Sequence, residues 1–333
     1  MAIQVDPALV ADHYSRRENQ TREDREASPI IHLKKLNNWV KSVLIRIYAQ
    51  AGDRVLDLAC GKGGDLVKWD KARISHYVGV DIAKGSVEDA RLRYEGVGSN
   101  GRGLPYHFSA RLLCADCWKV SLEEPLKDDA PFDIISCQFA LHYSFSEEAR
   151  ARRALQNVSS LLRPGGVFIG TIPDANVLVR KLREAPGLEV SNSVYRFRFD
   201  DRHADKRFPA KQPYGNTYIF ALEDAIASVP EALIPFSALS TLAEEYGLTV
   251  EVRSNFHSFI AEHSRNPEFA ELLRTMGVAE RGKQMSAAEW DAAYLYLAFV
   301  FRKVGEAPRS ERPKQPGGIY KPIQPHEIVF IPS

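Results

Sequence analysis

The sequence predicts an α/β chain built on a doubly wound parallel sheet. Three observations predict it. Apolar strand signals recur with helical stretches between them, and that alternation places helices on both faces of a parallel sheet. The first strand signal carries Asp57 and runs into a glycine-rich turn, Cys60-Gly61-Lys62-Gly63-Gly64, that opens a helix. The second strand signal ends in Asp81, twenty residues after Gly61. At that spacing a carboxylate reaches the ribose of a nucleotide-like ligand in Rossmann-like folds.

In chain order, residues 1–29 are polar and mixed in charge, with Ser15-Arg16-Arg17-Glu18 and Arg22-Glu23-Asp24-Arg25, and read as an N-terminal arm carrying some helix. Ser28-Pro29 predicts the start of a long helix, serine in the cap region and proline early in the first turn. Leu33, Leu36, Val40, Val43, Leu44 and Ile47 follow helical spacing, and Asn37 and Lys41 share a flank beside that stripe. Strands are expected at 54–60, 77–82, 111–116, 132–139 and 167–173. Helices are expected at 64–70, 85–94 and 147–162, the last stopped by Pro164-Gly165-Gly166. Residues 249–256 and 292–303 are expected to complete the sheet as an antiparallel pair at one edge. Residues 175–229 break the alternation, are rich in aromatics and charges, and read as an insertion that forms a substrate lid. Pro308, Pro313, Pro316, Pro322, Pro325 and Pro332 make 307–333 an extended, weakly ordered tail, which leaves 30–306 as the main domain.

The chain has 333 residues, 44% hydrophobic and 26% charged, which allows an ample core. A net charge of +1 gives no global footprint for a long nucleic acid, although a small or terminal one stays compatible with local basic residues. No apolar run is long enough to span a bilayer and the N-terminus lacks a secretory core, so the chain is expected to be intracellular. Cys60, Cys114, Cys117 and Cys137 include one C-x-x-C without a second half. Buried reduced thiols are expected there, and no metal.

Three ligands compete for the glycine turn. A dinucleotide site wants G-x-G-x-x-G, but here the third glycine is missing, and Asp65 sits where a pyrophosphate needs positive potential. A phosphate loop wants G-x-x-x-x-G-K-[ST], and no such run exists. S-adenosylmethionine remains, whose cationic sulfonium and ammonium suit Asp57 and Asp65. Ligands of an open parallel sheet bind outside the carboxyl ends of its strands, which collects Asp57, Gly61, Asp81, Asp116, Gln138 and Pro173. Asp81 is expected to accept from ribose hydroxyls and Asp116 to sit near the adenine amino group. Otherwise each acid is a helix cap or a solvated loop residue. The fourth strand runs into Gln138-Phe139-Ala140-Leu141-His142-Tyr143-Ser144-Phe145. This is either a flat-ring pocket or a core of Phe139 and Tyr143 with His142 as a satisfied polar residue.

From His13-Tyr14 to Lys303 the chain resembles the mRNA cap guanine-N7 methyltransferases, and is most similar to the plant members. The resemblance rests on Leu36-Asn37-Asn38-Trp39-Val40-Lys41-Ser42, the turn from Cys60 to Leu66, Gly79-Val80-Asp81-Ile82-Ala83, and Cys137-Gln138-Phe139 with His142-Tyr143-Ser144. It continues in Pro164-Gly165-Gly166-Val167-Phe168-Ile169-Gly170-Thr171, Pro230-Glu231, and Trp290 with Tyr296. The Asn-Asn-Trp-x-Lys helix and the Gln-Phe-x-x-His-Tyr strand end are specific to that family; the glycine turn is common to methyltransferases. The resemblance implies a class I S-adenosylmethionine-dependent methyltransferase fold, Rossmann-like, acting in the nucleus on the capped 5′ end of nascent mRNA (GpppN). Capping or transcription machinery is the implied partner. Lys41, Gly61, Asp65, Asp81, Asp116 and Gln138 would match cofactor contacts; Asp57 joins them from the turn argument and Cys117 through its backbone N–H. Asn37, Lys62, Phe139, His142, Tyr143, Pro173, Phe220, Glu231 and Tyr296 would match the pocket for the cap guanosine and its phosphates. The chain departs from the pattern at Ala59, where many animal and fungal members carry glycine, and at Cys117, where several carry serine.

Guanine N7 has an available lone pair and no proton to lose, so the implied reaction needs no general base. Its task is to align N7, the methyl carbon and the sulfur, and orientation lowers a barrier by roughly 7–11 kcal/mol in favourable cases. Glu231 is the candidate acceptor for guanine N1–H and the exocyclic amine, His142 or Tyr143 the donor to O6, and Lys62 with nearby arginines the partner of the triphosphate. Glu231 otherwise starts a helix after Pro230. Two rival classes share the fold. Asn37/Lys41 and His142/Tyr143 weigh against a small-molecule methyltransferase. Asp81, Asp116 and the glycine turn weigh against a cap-binding module without catalysis.

Overall fold

Apolar residues on both faces of consecutive strands need cover above and below, and the chain supplies it with helices. The structure is a computed structural model and describes residues 3, 5–16, 22–97, 106–278, 285–307 and 320–332. The described residues begin with α1 (Pro7–Arg16), α2 (Arg22–Glu26), α3 (Ile31–Tyr48), β1 (Arg54–Leu58), α4 (Leu66–Lys71), β2 (His76–Asp81), α5 (Lys84–Tyr94), β3 (Ser109–Cys114) and β4 (Phe132–Gln138). A 3₁₀ turn, Leu141–Ser146, leads to α6 (Glu148–Leu161), β5 (Leu162–Pro173), α7 (Ala175–Glu184) and four short strands, β6 (Glu189–Ser191), β7 (Tyr195–Phe199), β8 (Thr217–Leu222) and β9 (Ile226–Ala232). Then come α8 (Phe236–Glu245), β10 (Leu248–Asn255), α9 (Phe256–His263), α10 (Pro267–Thr275), α11 (Ala287–Ala293), β11 (Tyr296–Lys303) and β12 (Val329–Phe330).

Among the described residues eight strands form the main sheet, in the order β10-β11-β5-β4-β1-β2-β3-β12. The five from β5 to β3 run parallel, and β11 is antiparallel to both its neighbours. Strand order reverses between β1 and β4, so the ligand crevice of a doubly wound sheet opens there. Alternating side chains feed two cores: Val55, Tyr77 and Ile134 pack with α3, while Leu56, Val78 and Ile135 pack with α6 and α8.

Several expectations change. The long helix begins at Ile31 rather than at Ser28-Pro29, and its first turn is capped from a distance. Glu289 of α11 accepts from the backbone N–H of His32 and Leu33, each at 3.1 Å. Ile47 is exposed, whereas Trp39 is buried and donates to the Phe269 carbonyl of α10. Helix α6 passes directly into β5 at Leu162, and Pro164-Gly165-Gly166 lies within that strand as a register shift against β4. The late strand begins at Tyr296, because Ala292 and Ala293 end α11. The segment after β5 is a helix and an antiparallel sheet, β6-β7-β8-β9, and it runs past Val229 to Ala232. Pro308, Pro313 and Pro316 of the tail fall outside the described residues. The last part of the tail is not weakly ordered: β12 pairs in parallel with β3, and Tyr320 Oη and Ile323 N both donate to the Glu95 carboxylate at 2.7 Å. Ile323 and Ile328 are buried there, which anchors a segment that its prolines alone describe as loose.

Candidate active site

Strand β1 ends beside the crevice, and the chain turns back with positive φ at Ala59 (54°), Gly61 (54°) and Gly63 (68°). Glycine enters this left-handed region at no steric cost. The turn is tied to β2, because Cys60 N donates to the Val80 carbonyl at 3.1 Å. Asp81 is set by the same turn: Gly61 N donates to one carboxylate oxygen and Ala83 N to the other, each at 2.8 Å. Burial raises the Asp81 pKa and these two N–H groups oppose the rise.

Two acids beside the turn are shifted in opposite directions. Asp57 is buried and accepts from Tyr77 Oη at 3.0 Å; burial, then the Asp65 charge, push its pKa up to about 7. Burial alone would also raise Asp65, but the ammonium groups of Lys41 (2.8 Å) and Lys68 (2.6 Å) outweigh it and hold Asp65 below the usual carboxylate range. Asp116, just past β3, is already paired. Arg150 of α6 donates to both its oxygens at 2.9 and 3.1 Å, and Trp118 N adds a third bond. Cys117 is buried and its carbonyl accepts from Asn157. Gln138 folds back on the ladder, donating to Ser136 Oγ and accepting from Thr171 Oγ1.

The second cluster lies past β4. Phe139 has φ of 58°, a backbone cost that bulky residues bear at few places, and Thr171 holds it through its carbonyl and hydroxyl. The Phe139 ring meets Tyr296 edge-on at 5.2 Å, and Tyr296 pairs with Pro173 across β11 and β5. Glu231 lies in β9 opposite Tyr218 of β8, so it does not start a helix. Tyr218 Oη donates to Glu231 Oε2 at 2.6 Å, and Glu231 Oε1 lies 3.6 Å from His142 Nε2. His142 is buried against Tyr143, and neither ring nitrogen has a hydrogen-bond partner among the described residues. Phe220 is buried two residues along β8 from Tyr218, with the two rings 6.5 Å apart. The Asn37 side-chain oxygen is buried on α3 without a hydrogen-bond partner among the described residues, and Lys62 pairs with Asp89 of α5 at 2.8 Å.

Residues 4–304 match the family model described as the mRNA (guanine-N(7))-methyltransferase domain. The chain belongs to that family. It is 56% identical over 329 residues to mRNA cap guanine-N(7) methyltransferase 1 of Arabidopsis thaliana, covering 97% of this chain and 89% of that one. The rice protein of the same name, from Oryza sativa subsp. japonica, is 59% identical over 307 residues, covering 91% and 83%. Among solved structures, the CcbJ methyltransferase of Streptomyces caelestis superposes with a TM-score of 0.51 at 14% identity, over 89% of this chain and 96% of that one, a likeness of fold alone.

Membership makes this cap methyltransferase family member an enzyme, and its cofactor is S-adenosylmethionine. The residues fit that cofactor. The two acids suit its cationic end, and a Cβ built on Gly61 meets nothing within 4 Å, so the turn faces open space. Among the described residues no group of three or more His, Cys, Asp and Glu is arranged to hold a metal, and no helix is long and apolar enough to cross a membrane. Sequence reasoning missed Tyr77, Lys68, Arg150 and Tyr218, the side chains that hold Asp57, Asp65, Asp116 and Glu231. Lys68 was legible, three residues after Asp65 on a helix. Arg150 and Tyr218 act on residues 34 and 13 positions away, and nothing local marks them.

Proposed function

We propose that this chain moves the methyl group of S-adenosylmethionine to N7 of the guanosine cap (GpppN) at the 5′ end of mRNA, by in-line displacement without a general base. The observation that carries this reading is the buried run Tyr218–Glu231–His142 beside the Phe139/Tyr296 pair. It offers a fixed acceptor and an imidazole whose ring nitrogens make no hydrogen bond among the described residues, with aromatic rings around them. Guanine presents the complementary set. Its N1–H and exocyclic amine donate to Glu231, its O6 accepts from His142, and its ring lies against Phe139 and Tyr296, with Pro173, Tyr143 and Phe220 completing the surround. That edge becomes more acidic as the ring gains positive charge, so a carboxylate there favours the product-like state over the ground state.

S-adenosylmethionine, when bound, supplies an electrophilic methyl group on a sulfonium. Asp81 accepts from its ribose, Asp57 and the Lys41–Asp65 pair hold its amino-acid end, and Asp116, Cys117 and Gln138 flank its adenine side. Lys62 meets the triphosphate bridge once its pair with Asp89 opens, and Asn37 lends its unpartnered oxygen at the junction of the two ligands. The segment carrying β6 to β9 serves as the substrate lid, since it brings Glu231 to the pocket. The chain works in the nucleus on nascent transcripts beside capping or transcription machinery. Methyl transfer to GpppA, compared with GTP and small phenols and with the product mapped to N7, tests the reading. Transfer to phenols in preference to GpppA favours the small-molecule rival.

A further inference from the structure

Trp290 of α11 leaves 41% of its surface open to solvent. The His257 ring lies almost parallel on it, with centroids 3.9 Å apart and planes 11° apart, and a His257 Nε2 to Trp290 carbonyl bond of 2.8 Å locks the pair. Tyr294 continues the stack at 4.7 Å from His257. The guanidinium of Arg180, exposed on α7, sits 5.1 Å from the Tyr294 ring centre and donates to its hydroxyl at 2.8 Å. Burial lowers the His257 pKa, and the Arg180 cation stands at the end of the ladder.

The two middle rungs, His257 and Tyr294, are attached to the wall of the cap pocket. His257 follows Phe256, whose ring packs on Tyr296 at 5.8 Å and on Phe139 at 6.1 Å. Tyr294 lies two residues before Tyr296, and Asn255 Nδ2 ties its carbonyl to Asp174, the residue after Pro173. An aromatic ladder with Trp290 exposed at one end and Arg180 exposed at the other, its half-buried middle joined to a nucleotide pocket, matches what a single-stranded nucleic acid needs: a ring face for a base and a cation for a phosphate.

We propose that Trp290, His257, Tyr294 and Arg180 form a stacking platform for a nucleobase of the transcript beyond the cap. The proposal rests on the cap reading above. The test compares methyl-transfer kinetics on the dinucleotide GpppA and on a GpppA-capped ten-nucleotide RNA at one fixed salt concentration, since phosphate contacts are salt-dependent. Wild type is expected to show a lower KM for the capped RNA. Trp290→Ala is expected to raise that KM about tenfold, one base stack's worth, with GpppA kinetics and cofactor affinity kept and Trp290→Phe restoring most of the loss. Equal KM values of wild type for both substrates overturn the platform, as does an equal change on both in the variant. Should Trp290→Ala fail to fold, Arg180→Ala is read against the same two substrates by the same criteria. Should wild type methylate neither substrate, the cap reading fails by itself. The platform is then decided by quenching of tryptophan fluorescence with an uncapped ten-nucleotide RNA: quenching present in wild type and absent in Trp290→Phe supports it, and any other pattern overturns it.

Discussion

Tyr218→Phe removes one oxygen from the interior and leaves the ring in place. That oxygen belongs to a fully buried side chain and donates to Glu231 Oε2 at 2.6 Å. Burial, reinforced by the Glu231 charge, holds the phenol pKa far above its ordinary value, so Tyr218 acts only as a donor. A hydrogen bond to a charged group contributes about 1.5–3 kcal/mol. Without it Glu231 Oε2 loses that bond in the interior, while His142 Nε2 stays 3.6 Å from Oε1. The expected loss in kcat/KM on GpppA is therefore about 10- to 150-fold. Inosine lacks the exocyclic amine, so wild type should prefer guanosine caps by about 1–3 kcal/mol, the cost of a buried group left unpaired. Glu231→Gln should narrow that preference, Tyr218→Phe should narrow it less, and the double variant should lose less than the sum of the two. Calorimetry should show unchanged cofactor affinity in each. A guanosine-to-inosine rate ratio that stays at the wild-type value in Glu231→Gln would refute the reasoning, and a lowered melting temperature alone would then describe both residues as packing.

Asp81→Ala should abolish activity mainly through lost S-adenosylmethionine affinity, because it strands the Gly61 and Ala83 N–H groups that now meet its carboxylate; normal affinity in the folded variant removes the assignment. Burial raises the Asp57 pKa to about 7 in the folded state from an ordinary 3.8, so the unfolded chain binds fewer protons between those values. Wild type should then lose stability relative to Asp57→Asn as pH rises from about 4 to about 7, with the difference constant above that. Urea midpoints at about pH 5 and about pH 8 check it, and an equal difference at both speaks for an ionised Asp57. Deleting residues 308–333 uncovers the β3 edge and the sites of Ile323 and Ile328, for a loss of at most about 3–6 kcal/mol. It should lower the melting temperature and promote edge-to-edge association, seen by light scattering; an unchanged melting temperature shows that the tail adds no stability. Methyl transfer by alignment needs no Lewis acid, so activity should survive a chelator, and loss restored by zinc contradicts that.

Some features of this chain are decided within a few residues of sequence. The alternation of strand and helix, the turn from Cys60 to Leu66, the acids at strand ends and the Gln138–Tyr143 run each depend on local geometry: side-chain period, a left-handed glycine, a spacing along one chain. The turn pointed to the cofactor, and the motifs of the Asn37 helix and the Gln138 strand end carried the resemblance to the family that the comparison bears out. Boundaries fared worse. Pro164-Gly165-Gly166 reads as a stop, yet pairing with β4 absorbs it as a register shift inside β5. The tail reads as loose from its prolines, yet an open edge at β3 and the Glu95 carboxylate give its last residues somewhere to bind. Ser28-Pro29 reads as a helix cap, yet Glu289, some 256 residues away, meets those N–H groups instead. The same holds for what fixes the site. Tyr218 holds Glu231 only because β8 and β9 pair in that register, and Arg150 holds Asp116 only because α6 packs beside the end of β3. Which polar groups become partners is settled by burial: once water is excluded, each must find a donor or acceptor wherever the folded chain happens to place one, and distance along the sequence carries no information about where that will be.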